Sequence, residues 1–269
     1  MSLTLTLHTA PEVPLEAEAL VPERVEGKTA AQVAALGVLY GNQRAALGDF
    51  FRVEGQPDGE LRIVGDVARV KMIGAGMTRG RIVVEGNVGM HLGAAMSGGE
   101  ILVAGNAGDW VGAEMSGGSI VVKGDAGHLI GSAPRGARAG MRGGEIIVHG
   151  SAGNELGNGM RRGLLAVGGD SGDFTGVNML AGTVVVLGQL GWRTGAGMKR
   201  GSIVSCRPAE LLPTFSYGCT YRPVLLRLVF GRLRECGLAV AHEQFAGRYR
   251  RWSGDGVEEN RGEVLLLAG

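Results

Sequence analysis

Gly86-Asn87-Val88-Gly89-Met90-His91-Leu92-Gly93 reads Gly-x-x-Gly-x-x-x-Gly, and the rest of the chain is organised around that spacing. It returns at Gly105, Gly108 and Gly112, at Gly124, Gly127 and Gly131, and at Gly150, Gly153 and Gly157. Two more copies stand at Gly169, Gly172 and Gly176 and at Gly188, Gly191 and Gly195. Short apolar runs at 82–84, 101–103, 120–122, 146–148 and 184–186 precede these copies. Methionines stand in phase with them at Met77, Met96, Met115, Met141, Met160, Met179 and Met198, spaced by 19 residues except for one step of 26. The longer step holds an insertion at 133–138 that contains Arg135 and Arg138.

A fixed short period means that each copy is one structural unit, burying its apolar face only by stacking on its neighbours. Nineteen residues are too few for a helical hairpin, and the glycines would weaken helices by roughly 1 kcal/mol each. The leucine and asparagine pattern of leucine-rich repeats is missing. One coil of a β-helix per copy fits: short strands joined by glycine corners that need positive φ or a close approach of backbones. The expected class is all-β, a solenoid of about seven coils. Equal positions then lie about 4.8 Å apart, and the methionines form a ladder that fills the core.

Composition narrows the function. The chain has 269 residues, 50 of them glycine, a net charge of +1 and 45% apolar content. No field large enough to call for nucleic acid or a membrane surface is present. No apolar run reaches spanning length, and residues 1–7 lack the basic start and apolar core of a signal peptide, so the expected location is the cytoplasm. Cys206, Cys219 and Cys236 make neither a disulfide framework nor a CxxC knuckle.

Three segments are expected: an N-terminal cap at 1–58, the repeat at 59–205 and a C-terminal tail at 206–269. In the cap, Leu3 to Leu7 alternates as a strand and Thr29 starts a short helix stopped by Gly37. A first, imperfect coil opens at Leu61. After Ser205 the register stops, with Arg207 where a glycine is due. Residues 224–236 read as an amphipathic helix with Val224, Leu225, Leu228, Val229 and Leu233 apolar, halted by Gly237. Residues 263–267 end the chain as a strand. Within the repeat, the column Val83, Leu102, Val121, Ile147, Ala166, Val185 and Val204 is apolar on the outer face of the strands. A bare ridge of that size needs a cover, and the 224–236 helix is the expected one.

Candidate chemistry is sparse. A dinucleotide fingerprint needs a βαβ unit of about 30 residues, which a 19-residue period cannot hold. Asp66, Asn87, Asn106, Asp125 and Asp170 follow the first glycine of their copies, and turn formation through Asx bonds explains them better than calcium does. His91, His128 and His149 occupy different columns, which argues against a metal site. Arg135, Arg138, Arg142, Arg161, Arg162, Lys199 and Arg200 gather near the methionine corner of the later coils, a basic ridge suited to an acidic partner or polyanionic ligand. Arg248, Tyr249 and Trp252 form a second candidate interface, of the residue types that anchor protein partners.

The repeat resembles the C-terminal domain of the large chain of glutamate synthase. With the segments 11–18, 41–42 and 47–55, and the tail at 249–255 and 262–265, the whole chain resembles the C subunits of the formylmethanofuran dehydrogenase family more closely. The resemblance implies a right-handed β-helix without catalytic residues, a scaffold in a complex of one-carbon metabolism. Two complexes of that kind are implied. One is the archaeal tungsten or molybdenum dehydrogenase of methanogenesis. The other is the bacterial formyltransferase/hydrolase of formaldehyde oxidation, which passes formyl from tetrahydromethanopterin to a methanofuran-type cofactor and hydrolyses it to formate. Partners would be an amidohydrolase-like component A carrying zinc, a component B and a formyltransferase component D, with no cofactor or metal bound by this chain. Only Lys28, Lys71, Lys123 and Lys199 of the 27 basic residues are lysine, a mark of a GC-rich genome that favours the bacterial complex. The reading of a different class is a stand-alone ligand-binding β-helix.

Overall fold

A computed structural model describes residues 2–134, 136–137 and 139–268. The chain is mostly β. Before the repeat lie β1 (Leu3–Leu7), β2 (Leu15–Glu16), α1 (Pro22–Val25), α2 (Ala30–Ala34), β3 (Gly37–Tyr40), β4 (Gln43–Ala46) and β5 (Phe51–Glu54). The repeat supplies β6 (Glu60–Val64), β7 (Val70–Lys71), β8 (Arg81–Glu85), β9 (Glu100–Val103), β10 (Ser119–Val122), β11 (Arg142–Val148), β12 (Arg162–Val167), β13 (Thr183–Val186) and β14 (Ser202–Ser205). The tail adds β15 (Ser216–Tyr221), α3 (Leu225–Glu235), α4 (His242–Ala246), β16 (Tyr249–Gly254) and β17 (Gly262–Leu267). Thr29 caps α2 as expected, accepting from the backbone of Gln32 while the Gln32 side chain accepts from Thr29.

Among the described residues, thirteen strands form one open sheet in the order β15-β16-β17-β14-β13-β12-β11-β10-β9-β8-β6-β1-β5. From β6 to β14 all neighbours run parallel, and Ile82, Ile101, Ile120, Ile146, Leu165, Val184 and Ile203 lie side by side. A second column of single bridges joins Val67, Val88, Ala107, Ala126, Ala152 and Ser171. The insertion keeps the core register, with an irregularity confined to Arg142–Glu145: Met141 N–H still donates to Gly131 O, and Ile120 pairs with Ile146 across the step of 26. No helix among the described residues falls within 61–205.

Alternation and glycine corners account for this stack. Ile82, Val84 and their equivalents are buried, as are all seven ladder methionines. The first two glycines of each copy leave room for the neighbouring repeat. A Cβ on Gly105 would lie 2.7 Å from Gly86 O, and one on Gly108 would lie 2.9 Å from Met90 N. The third glycine meets the core instead. Gly112 turns at a φ of +61°, and a Cβ there would strike Ile146 Cδ1 on a following strand. The expected structural role of Gly108 and Gly112 therefore divides in two, the one admitting backbone and the other admitting a side chain. A further set of glycines holds the methionines in phase. A Cβ on Gly118 would come within 2.6 Å of Met96 Cε, and the same clash recurs between Met77 and Gly99 and between Met160 and Gly182. Each thioether thus fills the space left by the missing side chain on the next repeat.

The corner Asn and Asp residues do something other than expected. Only Asp66 closes its own turn, accepting from Ala68 N–H at 3.2 Å. Asn87 Oδ1 accepts from Asn106 N–H at 2.9 Å, Asn106 Oδ1 from Asp125 N–H at 2.8 Å, and Asp125 Oδ1 from Ser151 N–H at 2.7 Å. Asp109, His128, Asn154 and Asp173 form a parallel ladder that ends on Trp192 N–H. A short side-chain acceptor reaches the next repeat because the repeats sit one strand spacing apart.

The tail corrects the reading that the register ends at Ser205. β17 takes the next parallel position beside β14, with Ile203 opposite Val264, and Met198 Cε lies under Gly262 as Met179 Cε lies under Gly201. Gly262-Glu263-Val264-Leu265-Leu266 repeats the wording of Gly99-Glu100-Ile101-Leu102-Val103, displaced by a long excursion. β16 then pairs antiparallel on β17 and β15 on β16. At the other end β1 adds parallel to β6 and β5 antiparallel to β1.

α3 covers the apolar ridge in part. Ile147, Ala166, Val185 and Val204 are buried with Leu226, Phe230 and Leu233, and Val121 sits at the margin of this cluster. Val83 and Leu102 are half-buried and lie outside it. An eleven-residue helix is about 16 Å long, enough for three or four strands at about 4.8 Å each. The buried face also differs from the expected one, because Val224, Leu225 and Leu228 are exposed. Arg232 fixes α3 by donating through two nitrogens to the Glu145 carboxylate, which also accepts from Ser119 Oγ. Lys123 Nζ and His149 Nε2 lie 3.4 and 3.0 Å from Cys236 O at the end of the helix.

The hydrogen bonds from Arg232 hold Glu145 below its usual pKa against the opposing effect of burial. Burial, and then the neighbouring Lys123 charge, lower His149 below its ordinary 6.5. Both groups favour their deprotonated forms in the folded state, so their contribution is complete above pH 6.5 and is lost as pH falls through each lowered value. Acidification from neutral pH to about pH 4 is expected to raise amide exchange in 225–235 before it does so in 101–104. The same profile in a chain carrying Glu145→Gln and His149→Gln would contradict this.

A second test addresses the ladder. Gly118→Ala should lower stability through the contact with Met96 and the strained φ of +87°. Adding Met96→Ala should recover part of that loss, although Met96→Ala alone costs about 2–5 kcal/mol. Strict additivity in thermal melts would sink the pairing.

Candidate functional site

With the methionines held inside, the residue after each one turns outward at the same corner. Backbone N–H groups of Ser97, Ser116, Arg142, Arg161, Leu180 and Lys199 donate to the carbonyls of Met77, Met96, Met115, Met141, Met160 and Met179. These six residues therefore form one column, serine at its first two positions and basic at three of the last four, with Leu180 between Arg161 and Lys199. At the early end Arg79 is neutralised by Glu26. At the later end Arg142, Arg161, Arg162, Lys199 and Arg200 line one groove of about 710 Å³ with Leu180, Ala181, Gly182 and Glu259.

The charge in this groove is mostly uncompensated. Lys199 Nζ meets Glu258 at 3.5 Å, and Glu259 is engaged by Arg261 at 3.0 Å. Among the described residues, Arg142, Arg161, Arg162 and Arg200 have no ion pair, and all four are exposed. Guanidinium groups bind carboxylates and phosphates through two parallel hydrogen bonds. Repeats one strand spacing apart can hold successive anionic groups of one extended ligand or acidic surface. Arg135 and Arg138 lie outside the described residues. Ala133 and Ala137 of the insertion line a neighbouring groove of about 340 Å³ that shares Leu180 and Lys199 with the basic one.

Of the second candidate interface, Tyr249 is not available at the surface. Tyr249 is fully buried in the cluster under α3, and its hydroxyl donates to Gln244 O at 2.8 Å. Trp252 is half-buried against the core and meets Tyr217 edge-on at 5.7 Å. Arg248 is exposed, but its guanidinium donates to Thr220 O and ties β15 to the strand beside it. As part of a paired strand, the segment turns its aromatic rings inward. Among the described residues no group of three or more His, Cys, Asp or Glu side chains could hold a metal ion. Nor is any helix there long and apolar enough to cross a membrane.

An all-β stack of glycine repeats carrying one basic groove is the class that these features define, and residues 100–210 match the GXGXG motif family. The chain is 42% identical over 95 residues to the C subunit of tungsten-containing formylmethanofuran dehydrogenase 2 of Methanothermobacter marburgensis, covering 34% of this chain and 35% of that protein. It is 40% identical over 86 residues to the C subunit of molybdenum-containing formylmethanofuran dehydrogenase 1 of Methanosarcina barkeri, covering 30% and 29%. The match thus spans about a third of the curated relatives' length. A solved chain is similar from end to end, at 35% identity and a TM-score of 0.91, covering 99% of this chain and 100% of that one. It comes from the X-ray crystal structure of the formyltransferase/hydrolase complex (FhcABCD) from Methylorubrum extorquens in complex with methylofuran. The chain belongs to the family of formylmethanofuran dehydrogenase C subunits.

If the groove is a binding surface and not a structural joint, its cations repel one another in the isolated chain. Arg161→Gln should then leave the thermal midpoint unchanged or raise it slightly, by less than about 1 kcal/mol, and the gain should vanish in high salt. A clear loss of stability would assign Arg161 a structural role.

Proposed function

We propose that this chain is the scaffolding C subunit of a formyltransferase/hydrolase complex. That complex would transfer formyl from tetrahydromethanopterin to a methanofuran-type cofactor and hydrolyse the product to formate. The observation that carries the reading is the end-to-end likeness to a chain of such a complex, including both terminal segments, where the dehydrogenase relatives align over about a third of their length. In this reading the repeats at 59–205 are about seven coils of a right-handed β-helix, with 1–58 as its cap and 206–269 as its tail. The second column of bridges and the methionine ladder support that geometry.

The chemistry falls to the partners: zinc-dependent hydrolysis on an amidohydrolase-like component A, formyl transfer on component D, and a component B besides. This chain itself binds neither metal nor pterin. Glu145 and His149, both held below their ordinary values, serve as joints under α3. Burial pushes the Cys206 thiol up to about 12 beneath the tail. The basic groove faces an acidic partner surface or the glutamate-rich arm of the furan cofactor.

The second reading, a C subunit of a tungsten or molybdenum dehydrogenase, is favoured by the local identity of 42%. Purification of the tagged chain from its native host separates the two. Co-purification with a partner loaded with a metal pterin would overturn the proposal. Formyl hydrolysis should appear only with the partners present, and turnover by the lone chain would contradict the scaffold role. Arg161→Glu with Arg162→Glu should weaken assembly or hydrolysis, more so at low salt. Unchanged assembly and kinetics would remove the groove from the account.

A further inference from the structure

α3 is apolar on two faces, and the sheet takes only one of them. Leu226, Phe230 and Leu233 are buried against the ridge. Val224, Leu225 and Leu228 face away from it and are 77%, 62% and 75% exposed. Their spacing of three and four residues makes one stripe along the helix. A helix that is apolar on opposite faces is ordinarily buried on both.

Gly231 continues the stripe three residues past Leu228, and nothing lies within 4 Å of the place its Cβ would occupy. Glycine inside a helix weakens it, and no neighbour in this chain requires one here. What it provides is a notch at which another backbone can come close to the helix axis.

Charge indicates what fits the stripe. Arg222, just before the helix, and Arg227, beside Leu228, are exposed, and among the described residues neither guanidinium has an ion pair or a hydrogen-bond partner. The other charges of α3 are committed. Arg232 is held by Glu145 and Glu235, while Arg234 donates to Val240 O and lies 4.1 Å from the Phe245 ring centre. The surroundings of the stripe are therefore positive, and no free carboxylate stands among the described residues of the helix.

We infer that the outer face of α3 docks an amphipathic helix of a different protein, one whose apolar contact residues are flanked by Asp or Glu. Helix-on-helix docking uses anchors spaced three and four residues apart, which is what the stripe presents. A second copy of this chain fits poorly, because a two-fold contact through the stripe would set arginines against arginines. The inference goes beyond the basic groove and holds whichever complex the chain joins, since it rests on a separate element.

The test uses the complex purified from the native host with a tagged chain. In a Cys219→Ser background, which removes the exposed native thiol, Leu228→Cys places a maleimide-reactive reporter on the stripe. Its alkylation, read at that residue by mass spectrometry, should be slower in the complex than in the isolated chain by about tenfold, as for a side chain in an interface core. A crosslink from the same thiol should land on a partner helix bearing Asp or Glu. Arg227→Glu should leave the melting of the isolated chain unchanged and weaken retention of that partner about tenfold at low salt. Equal alkylation in complex and isolated chain would overturn the proposal, as would a chain that purifies alone with the reporter fully reactive. Protection that arises from dimerisation of the isolated chain, seen by sedimentation, would overturn it in favour of a second copy. Protection by anionic vesicles alone would overturn it in favour of a lipid surface.

Discussion

The structure depends on backbones that lie one strand spacing apart at corners where no side chain fits. With 2.7 Å between a Cβ on Gly105 and Gly86 O, even alanine would drive the repeats apart there. Close approach in turn allows the hydrogen bonds that hold one repeat to the next. Strand amides bond in one column, bridge residues in a second, and Asn or Asp side chains accept neighbouring amides at the corners. Methionine methyl groups then occupy the space beneath glycines of the following repeat. Burial of the aliphatic columns supplies the driving force. The glycines decide whether the repeats can come close enough to use it.

A parallel stack of this kind has two open ends and one apolar outer ridge, all of them places where chains aggregate. The chain deals with the ends using its own terminal segments. β1 and β5 close one end and β17, β16 and β15 the other, each by one parallel strand followed by antiparallel ones. The ridge is handled with the same segment, because the excursion between β14 and β17 contains α3. Glu145, Arg232, Lys123 and His149 pin that helix over the later strands of the ridge. Polar joints of this sort fix the position of an element that hydrophobic contact alone would leave free to slide along a uniform ridge.

Legibility in the sequence followed the period. Wherever residues repeat at 19, the strand positions, the buried columns and the outward turn after each methionine were readable, because position in the repeat determines position in space. The basic groove was readable for the same reason: Arg142, Arg161 and Lys199 stand at one phase. What escaped lies outside the period or depends on contacts between distant segments. Tyr249 looks like a surface anchor beside three arginines, yet its strand partner and α3 enclose it. Leu225 and Leu228 look like core on the helical pattern alone, and only the position of the sheet shows that Leu226 and Phe230 take that place. The last rung did carry a signal in Gly262-Glu263-Val264-Leu265, but the long interruption before it hides it from a fixed-period search.

Amide exchange at single-residue resolution tests the stack most directly. Asn106 and His128 occupy corners near solvent, and in an ordinary glycine-rich turn their amides would exchange rapidly. Here they donate to Asn87 Oδ1 at 2.9 Å and Asp109 Oδ1 at 2.8 Å on the preceding repeat. Opening either one requires the repeats to separate, so both should exchange nearly as slowly as the amides of β9 and β10. Exchange at the rate of unstructured turns would mean that the corners are not joined, and the account of how this chain holds together would fail.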